Sequence, residues 1–422
     1  MLTYKCSKYN FFHKVGNSYL VYNQMSHALM VVDEELFNTL SEKNIDKIPD
    51  SVKEQLVSDG YICSTKFTEE NYFLFKNHIR RYSQDTIRIT IMPTLSCNFS
   101  CWYCYENHIP GSMSDDAKKA ILLFCKKIIK SKKYRHFHLD WFGGEPLLYF
   151  KKIVYPISLE IKNLCAEYDM YFHNSITTNG YMISNDVIDD IKEIQLNSYQ
   201  ITFDGCQEDH NKVRFMPNDH DSYTRLKDNI ILLCRNIEKI DMSLRINYTP
   251  DNVGKIDLIA DDFPEDVRSK ILVQPQLVWQ YKSGINPQNG KISDKTKVFK
   301  DKGFIIKSNN FNCNFCYAES MSQFVINYDL NVYKCTARDF INKDNSVGII
   351  NMEGDFVPSP HFYDYCVPSY MECKECLACD LLPSCLGLCI QKRIEGCKDC
   401  YKEQVEGDLR HKLNTFMEEH SV

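Results

Sequence analysis

The sequence predicts an α/β protein, a partial (βα)6 TIM-like barrel with a small α+β unit before it and a cysteine-rich region after it. Three observations carry this prediction. From Asp85 to about Gln280 short β-rich runs alternate with helical patterns, as successive βαβ units of a parallel sheet do. The conspicuous polar motifs all fall at the C-terminal ends of those runs, where the loops of a barrel converge on one face. Residues 313–400 are crowded with cysteine, unlike anything before them.

In chain order, the first 84 residues read as an alternating run SYLVYN, then HALMVVDEELFNTLSE, then a helical VKEQLVSDGYIC closing on Gly60. This is a small α+β pattern. Six strands follow: DTIRITIMPT ending at Thr94, HFHLDWFGGE at Glu145, MYFHNSITTNG at Gly180, YQITFDG at Gly205, SLRINYT at Thr249 and ILVQPQLVWQ at Gln280. Between the first two, Ser114 with Asp115 and Asp116 reads as an N-cap with acids on the helix dipole, opening a helix through Ile129. Six strands predict an open barrel with a lateral gap. The expected domains are residues 1–84, 85–300, 301–405 and a helical tail over 406–422. No internal repeat or long low-complexity segment appears.

The net charge is −6 and the pI near 6.1, which supplies no basic field for a nucleic-acid backbone. The lysine-rich stretch KKIIKSKK ending at Lys133 carries Ile128 and Ile129 and reads as the solvated face of a helix. The N-terminus shows no signal-peptide pattern and no apolar run reaches membrane-span length. Twenty cysteines in such a chain then point to a reducing, cytoplasmic setting and to metal or redox work rather than disulfides.

The sharpest motif is TLSCNFSCWYCYE, in which Cys97, Cys101 and Cys104 are spaced C-x3-C-x2-C directly after a strand. Electron-transfer iron–sulfur clusters take four cysteines. Three thiolates hold a four-iron cluster one ligand short, leaving an iron open for chemistry; a structural zinc loop is the competing reading. With Tyr103 before the last cysteine, the motif resembles the radical S-adenosylmethionine (SAM) enzymes. That resemblance implies that the open iron chelates SAM, and that an electron from the cluster releases a 5′-deoxyadenosyl radical able to attack unactivated C–H bonds.

Further motifs fall where this family has them. Gly143, Gly144, Glu145 and Pro146 match its GGE stretch, and by resemblance contact the SAM amino group; glycines there admit close backbone approach. Thr177, Thr178, Asn179 and Gly180 resemble its TTNG stretch, and Asp204, Gly205, His210 and Arg214 its DG…H…R stretch. Hydroxyl, amide and carboxylate groups suit ribose hydroxyls, and Arg214 or Arg245 the methionyl carboxylate. His210 and Arg214, four apart, equally fit a pair on a helix surface.

In the C-terminal region Cys376, Cys379, Cys385 and Cys389 read C-x2-C-x5-C-x3-C, with Cys316 and Cys335 upstream and Cys397 and Cys400 downstream. The pattern resembles the SPASM domain, a twin-cluster extension of peptide-modifying radical SAM enzymes. By this resemblance one auxiliary 4Fe-4S cluster would take Cys316, Cys335 and Cys389, with either Cys313 as fourth ligand or an open iron that could hold a substrate thiolate. The other would take Cys376, Cys379, Cys385 and Cys400, with Cys397 the alternative. Cys366 and Cys373 are surplus, and zinc is the competing metal. Leu330 stands where the family has a glycine.

The resemblance implies a maturase that takes hydrogen from a ribosomally made precursor peptide and closes a thioether or carbon–carbon crosslink, served by three 4Fe-4S clusters, SAM and a low-potential donor such as flavodoxin or ferredoxin. In outline, residues 1–84 are similar to winged-helix peptide-recognition elements; a plain structural cap is the other reading. Sulfatase maturation to formylglycine is an alternative, against which Thr336 occupies the position of that group's aspartate, although Asp339 is near. A non-catalytic iron–sulfur or zinc scaffold is a third. Nucleic acid and membrane are not expected partners. The peptide, bond type, general base and oligomeric state are not legible.

Overall fold

The structure, a computed structural model, describes residues 3–216, 218–278, 280, 289–306, 315–367, 369–387 and 389–420. The chain divides into two compact units: residues 1–83, 308–321 and 364–422 form one, and residues 84–307 with 322–363 the other.

In the first unit β1 (Tyr4–Cys6) pairs antiparallel with β5 (Ile62–Ser64). A second sheet runs β2 (Asn10–Val15), β3 (Ser18–Asn23) and β4 (Leu29–Val32), all antiparallel. Three helices follow the strands: α1 (Glu34–Ser41), whose N-cap Asp33 accepts from Leu36 N, α2 (Asp50–Ser58) and α3 (Glu69–Arg81). Val21, Leu40, Leu56 and Tyr61 close one core. On the same sheet Phe11, Leu20 and Tyr22 pack against Leu409, Leu413 and Met417 of the C-terminal helix Lys402–His420, so the last helix shares a core with the first strands. A buried ion pair, Arg81 to Glu319 at 2.9 Å, ties α3 to the returning chain, and Arg81 also donates to Tyr365 O.

The second unit is built on an eleven-stranded mixed sheet. Its centre is six parallel strands in sequence order: β6 (Thr86–Ile91), β7 (His136–Trp141), β8 (Tyr171–Thr178), β9 (Leu196–Phe203), β10 (Asp241–Tyr248) and β11 (Ile271–Leu277). All six expected strands are present, each ending one to four residues before the expected end of its run. β12 (Ile305–Ile306) extends the sheet beyond β11. At the other edge β13 (Gln323–Ile326) lies parallel to β6, and β14 (Asn331–Tyr333), β15 (Gly348–Ile350) and β16 (Phe356–Pro358) continue as an antiparallel meander. The sheet is therefore larger than the sequence prediction, because residues expected in the cysteine-rich region join it.

One face of the six strands is apolar and covered: Ile87, Ile89, Leu139, Trp141, Ile201, Phe203, Leu244 and Ile246 are buried. Helices α4 (Asp115–Lys130), α5 (Tyr155–Glu167), α6 (Ile188–Glu193), α7 (Gln207–Val213) and α8 (Ser222–Asn236) lie in the crossovers. Ser114 caps α4 as expected, its hydroxyl accepting from Ala117 N. The other face is polar, carrying Arg88, His138, Asp140, His173, Ser175, Gln200, Thr202, Arg245 and Asn247 at alternate positions. A packed barrel core would be apolar there; this sheet keeps that face for chemistry. Among the described residues no helix is long and apolar enough to cross a membrane.

Candidate active site

The loop after β6 carries the three thiols and is tied down at both ends. Thr94 Oγ1 donates to Gly111 O and Ser96 Oγ to Ile109 O at 2.8 Å, while Phe99, 1% exposed, anchors the middle against the Tyr181 ring at 5.7 Å. Cys104 N donates to Cys101 O, turning the last two cysteines toward the same side. Cys97, Cys101 and Cys104 then line one cavity of about 190 Å³ together with Tyr103, Gly143, Gly144, Thr178, Asn179, Arg214 and Arg245.

The glycine pair is demanded by this approach. A Cβ on Gly144 would sit 2.1 Å from Ser96 O, and one on Gly143, at φ +93°, 2.6 Å from Thr94 O. The turn after β7 thus lies directly on the cysteine loop, and Glu145 N donates to Ser96 O at 2.8 Å. No other residue type fits at Gly144 without moving backbone.

The sequence-predicted residues divide into those that face the cavity and those that build it. Glu145 is fully buried, and its carboxylate accepts from Thr178 Oγ1 at 2.6 Å, Asn179 N at 2.7 Å and Leu147 N at 2.9 Å. Burial raises its pKa, against the pull of these donors. Neither Glu145 nor Pro146 lines the cavity. Asn179 instead faces it and reaches Asn98 Oδ1 at 2.7 Å, coupling the end of β8 to the cysteine loop.

Asp204 and Arg214 form a pair, Arg214 Nε to Asp204 Oδ2, with side chains 12% and 4% exposed. Tyr103 OH completes it, donating to Asp204 Oδ2 at 2.8 Å and accepting from Arg214 Nη2 at 3.0 Å and Asn247 Nδ2 at 2.9 Å. Arg214 is therefore neutralised and locked. His210 is not on a helix surface: it is fully buried between the Phe203 and Tyr223 rings, 5.1 and 5.4 Å away, and its Nδ1 accepts from Asp204 N. That burial pushes its pKa well down, keeping it neutral.

Arg245 differs. Its Nε donates to Asn247 Oδ1 at 3.0 Å, the side chain lines the cavity, and burial lowers its pKa. A desolvated guanidinium gains most from a bidentate carboxylate. Sequence reasoning missed Gln200, Thr202, Asn247 and Gln280, which also line the cavity. Their signal was the two-residue alternation of polar side chains running into Asp204 and out of Arg245. It also missed Glu106 and His108, on the wall beside Cys104; burial pushes the Glu106 carboxyl up to about 7.

Burial raises all three thiols, Cys97 to about 12. Among the described residues no three His, Cys, Asp or Glu side chains stand close enough together to grip a metal ion. The donor set nonetheless fits a four-iron cluster with one open iron: three thiols on one wall, the backbone of a glycine pair pressed behind them, and an anion-seeking guanidinium on the same cavity. Thiolate ligation would release the protons that burial now retains.

Of the other cysteines, Cys313 lies outside the described residues. Cys316, Cys376, Cys379, Cys385, Cys389 and Cys400 belong to the first unit and Cys335 to the second. Cys373, surplus by spacing, hydrogen-bonds Cys376 beside Arg393, and burial raises Cys376 to about 11. The turn before Cys335 keeps the geometry that a glycine would supply: Leu330 adopts φ +70°. A non-glycine residue there stores on the order of 1 kcal/mol of strain.

Residues 91–261 match the model of the radical SAM superfamily. The radical SAM cyclopropyl synthase TigE of Paramaledivibacter caminithermalis is 21% identical, over 97% of this chain and 96% of that protein. Among solved structures, native anSMEcpe with bound AdoMet aligns with a TM-score of 0.57 at 17% identity, covering 77% of this chain and 96% of that one. SuiB of Streptococcus suis bound to precursor peptide SuiA aligns with a TM-score of 0.51 at 14% identity, covering 92% and 96%. At these identities the structural likeness establishes the fold.

Proposed function

From the premise that this chain is a radical SAM enzyme, with that superfamily's domain over residues 91–261, we propose that it matures a ribosomally made precursor peptide by breaking a C–H bond and closing a carbon–carbon or thioether crosslink. The observation that carries the reading is the cavity lined together by three cysteines, a glycine pair and Arg245.

Cys97, Cys101 and Cys104 would hold the cluster, leaving one iron for SAM. Bound there, cluster and SAM supply a carbon radical that takes hydrogen from the substrate. The chain's own residues bind and orient. Arg245 offers its fork to the methionyl carboxylate, Thr178 and Asn179 offer polar groups to the nucleoside, and the Tyr103–Asp204–Arg214 knot holds the floor rigid. Glu106 and His108 on the cavity wall and the polar face of the sheet offer hydrogen-bonding groups to a peptide backbone.

Two comparisons support a peptide and a carbon–carbon bond. SuiB, which shares the fold, is seen with a precursor peptide. TigE is named for making a cyclopropyl ring, which is closed by carbon–carbon bonds. In the same reading residues 301–405 hold two auxiliary clusters, one on Cys316, Cys335 and Cys389 with Cys313 or an open iron as the fourth position, the other on Cys376, Cys379, Cys385 and either Cys400 or Cys397, and a flavodoxin or ferredoxin in the cytoplasm supplies electrons. Formylglycine formation is not favoured, since Thr336 stands where that group's aspartate would be.

The test is the triple Cys→Ala variant at positions 97, 101 and 104. After anaerobic reconstitution it should lose about four irons per chain and form no 5′-deoxyadenosine. Cleavage equal to the parent's refutes the site.

A further inference from the structure

Helix α3 buries one stripe and bares another. Glu69, Phe73, Asn77 and Arg81, four apart, are buried. Tyr72, Phe75, Ile79 and Tyr82, spaced three, four and three apart, lie on the outward side with 38, 59, 54 and 50% of their surfaces exposed. Side chains of this size, each of roughly 150–250 Å² when aromatic, leave several hundred Å² of apolar surface, the range in which a patch on a soluble protein is commonly functional. The stripe is flanked by cations: Lys76 and Arg80 are exposed, and Lys76 Nζ stands 5.6 Å from the Tyr72 ring centroid. The two acids of α3 are both engaged, Glu69 by Ser7 and Glu70 by Lys8. The outward face is therefore apolar with a positive rim.

What lies behind the helix narrows the choice of partner. Phe73 packs edge-on against Tyr370 at 5.4 Å, and with Tyr9 and Leu382 forms a core on which Cys376 rests. One layer of side chains separates the exposed stripe from the thiol-rich segment of the same unit.

We propose that the outward face of α3 docks the electron donor, a small acidic redox protein presenting an apolar spot ringed by carboxylates. The inference rests on the radical SAM reading, in which the cluster must be charged with one external electron before it can cleave a sulfonium. The partner is oxidised by one electron and the enzyme reduced by one; the electron then breaks one C–S bond to give methionine and a carbon radical, with no proton transferred. Apolar centre and complementary charged rim are the usual anatomy of such an interface.

The test uses the reconstituted full-length enzyme, reduced flavodoxin as the probe, and dithionite as a chemical reductant that needs no docking face. Two variants serve, Phe75→Ser with Ile79→Ser and Lys76→Glu with Arg80→Glu, all four positions being exposed. Each is expected to weaken flavodoxin binding, measured by anisotropy, about tenfold or more. The charge reversal should also reverse the dependence of binding on salt. With dithionite both variants should form 5′-deoxyadenosine at the parent's rate. Equal flavodoxin affinity in parent and variants, while the parent cleaves SAM under dithionite, overturns the docking face alone. So does a variant whose KM for substrate peptide rises under dithionite, since the stripe is then a peptide face. A parent that forms no 5′-deoxyadenosine under dithionite overturns the radical SAM reading itself.

Discussion

Replacing Glu145 by alanine separates two roles for that carboxylate. If it serves only a ligand, the ligand-free protein is indifferent to its loss. The structure instead gives it three internal donors, Thr178 Oγ1, Asn179 N and Leu147 N, all within 2.9 Å and none exposed to water. Each buried donor left unmet costs about 1–3 kcal/mol. Thr178 has some freedom to turn its hydroxyl, so the Glu145→Ala loss should be about 3–6 kcal/mol, a large share of the ~5–15 kcal/mol that holds a typical protein folded. Glu145→Gln keeps one acceptor oxygen and sheds the buried charge, but turns an amide toward a donor; its loss should be about 1–2 kcal/mol. Urea unfolding of the metal-free protein, followed by fluorescence of the buried Trp141 on the adjoining strand, reads both. An alanine variant within about 0.5 kcal/mol of the parent, with only SAM affinity reduced, would falsify the structural assignment.

The two arginines of the cavity should respond oppositely. Arg214→Ala strands the nearly buried Asp204 and is expected to destabilise the protein by about 3–5 kcal/mol. Arg245→Ala should leave unfolding within about 1 kcal/mol of the parent and raise the Kd for SAM about ten- to a hundredfold, by calorimetry on reconstituted enzyme; the reverse ranking defeats the assignment. His138 supplies a pH prediction. Burial, then Arg88, His173 and His136, hold its pKa at about 4, and Asp140 stands near Arg88 on the same face. The unfolded chain binds this proton near pH 6.5 and the folded one only near pH 4, so stability is full above about 6.5 and falls as the pH drops through that window. His138→Gln should flatten that part of the stability–pH curve; an unchanged slope rules His138 out.

The six central strands were legible because each buries one face and so reads as β-branched and aromatic runs, with its polar motif marking where it stops. Ser114 and α4 were legible from capping chemistry alone. The wider sheet was not: β13 pairs with β6 across more than two hundred residues, and four-residue strands carry too little periodicity to announce a partner. At the site, spacing located the three cysteines and the glycine pair, because both depend on local backbone approach. Spacing does not tell Arg214 from Arg245, since the difference lies in Tyr103 and Asp204, contributed by other strand ends. Nor does it reveal that Glu145 points inward, which depends on three donors that only the fold assembles.

The parallel pairing of β13 on β6 bears on whether the chain can be shortened. Residues 322–363 supply four strands to the sheet that carries the cysteine loop, so β6 is an interior strand, bonded on both flanks. Cutting the chain after residue 300 would strip one flank and leave Arg88 to Ile91 with bare amides and carbonyls beside an apolar surface, an invitation to aggregate. Residues 322–363 are thus not a detachable accessory to residues 84–307: they are masonry in the wall that carries the cysteine loop.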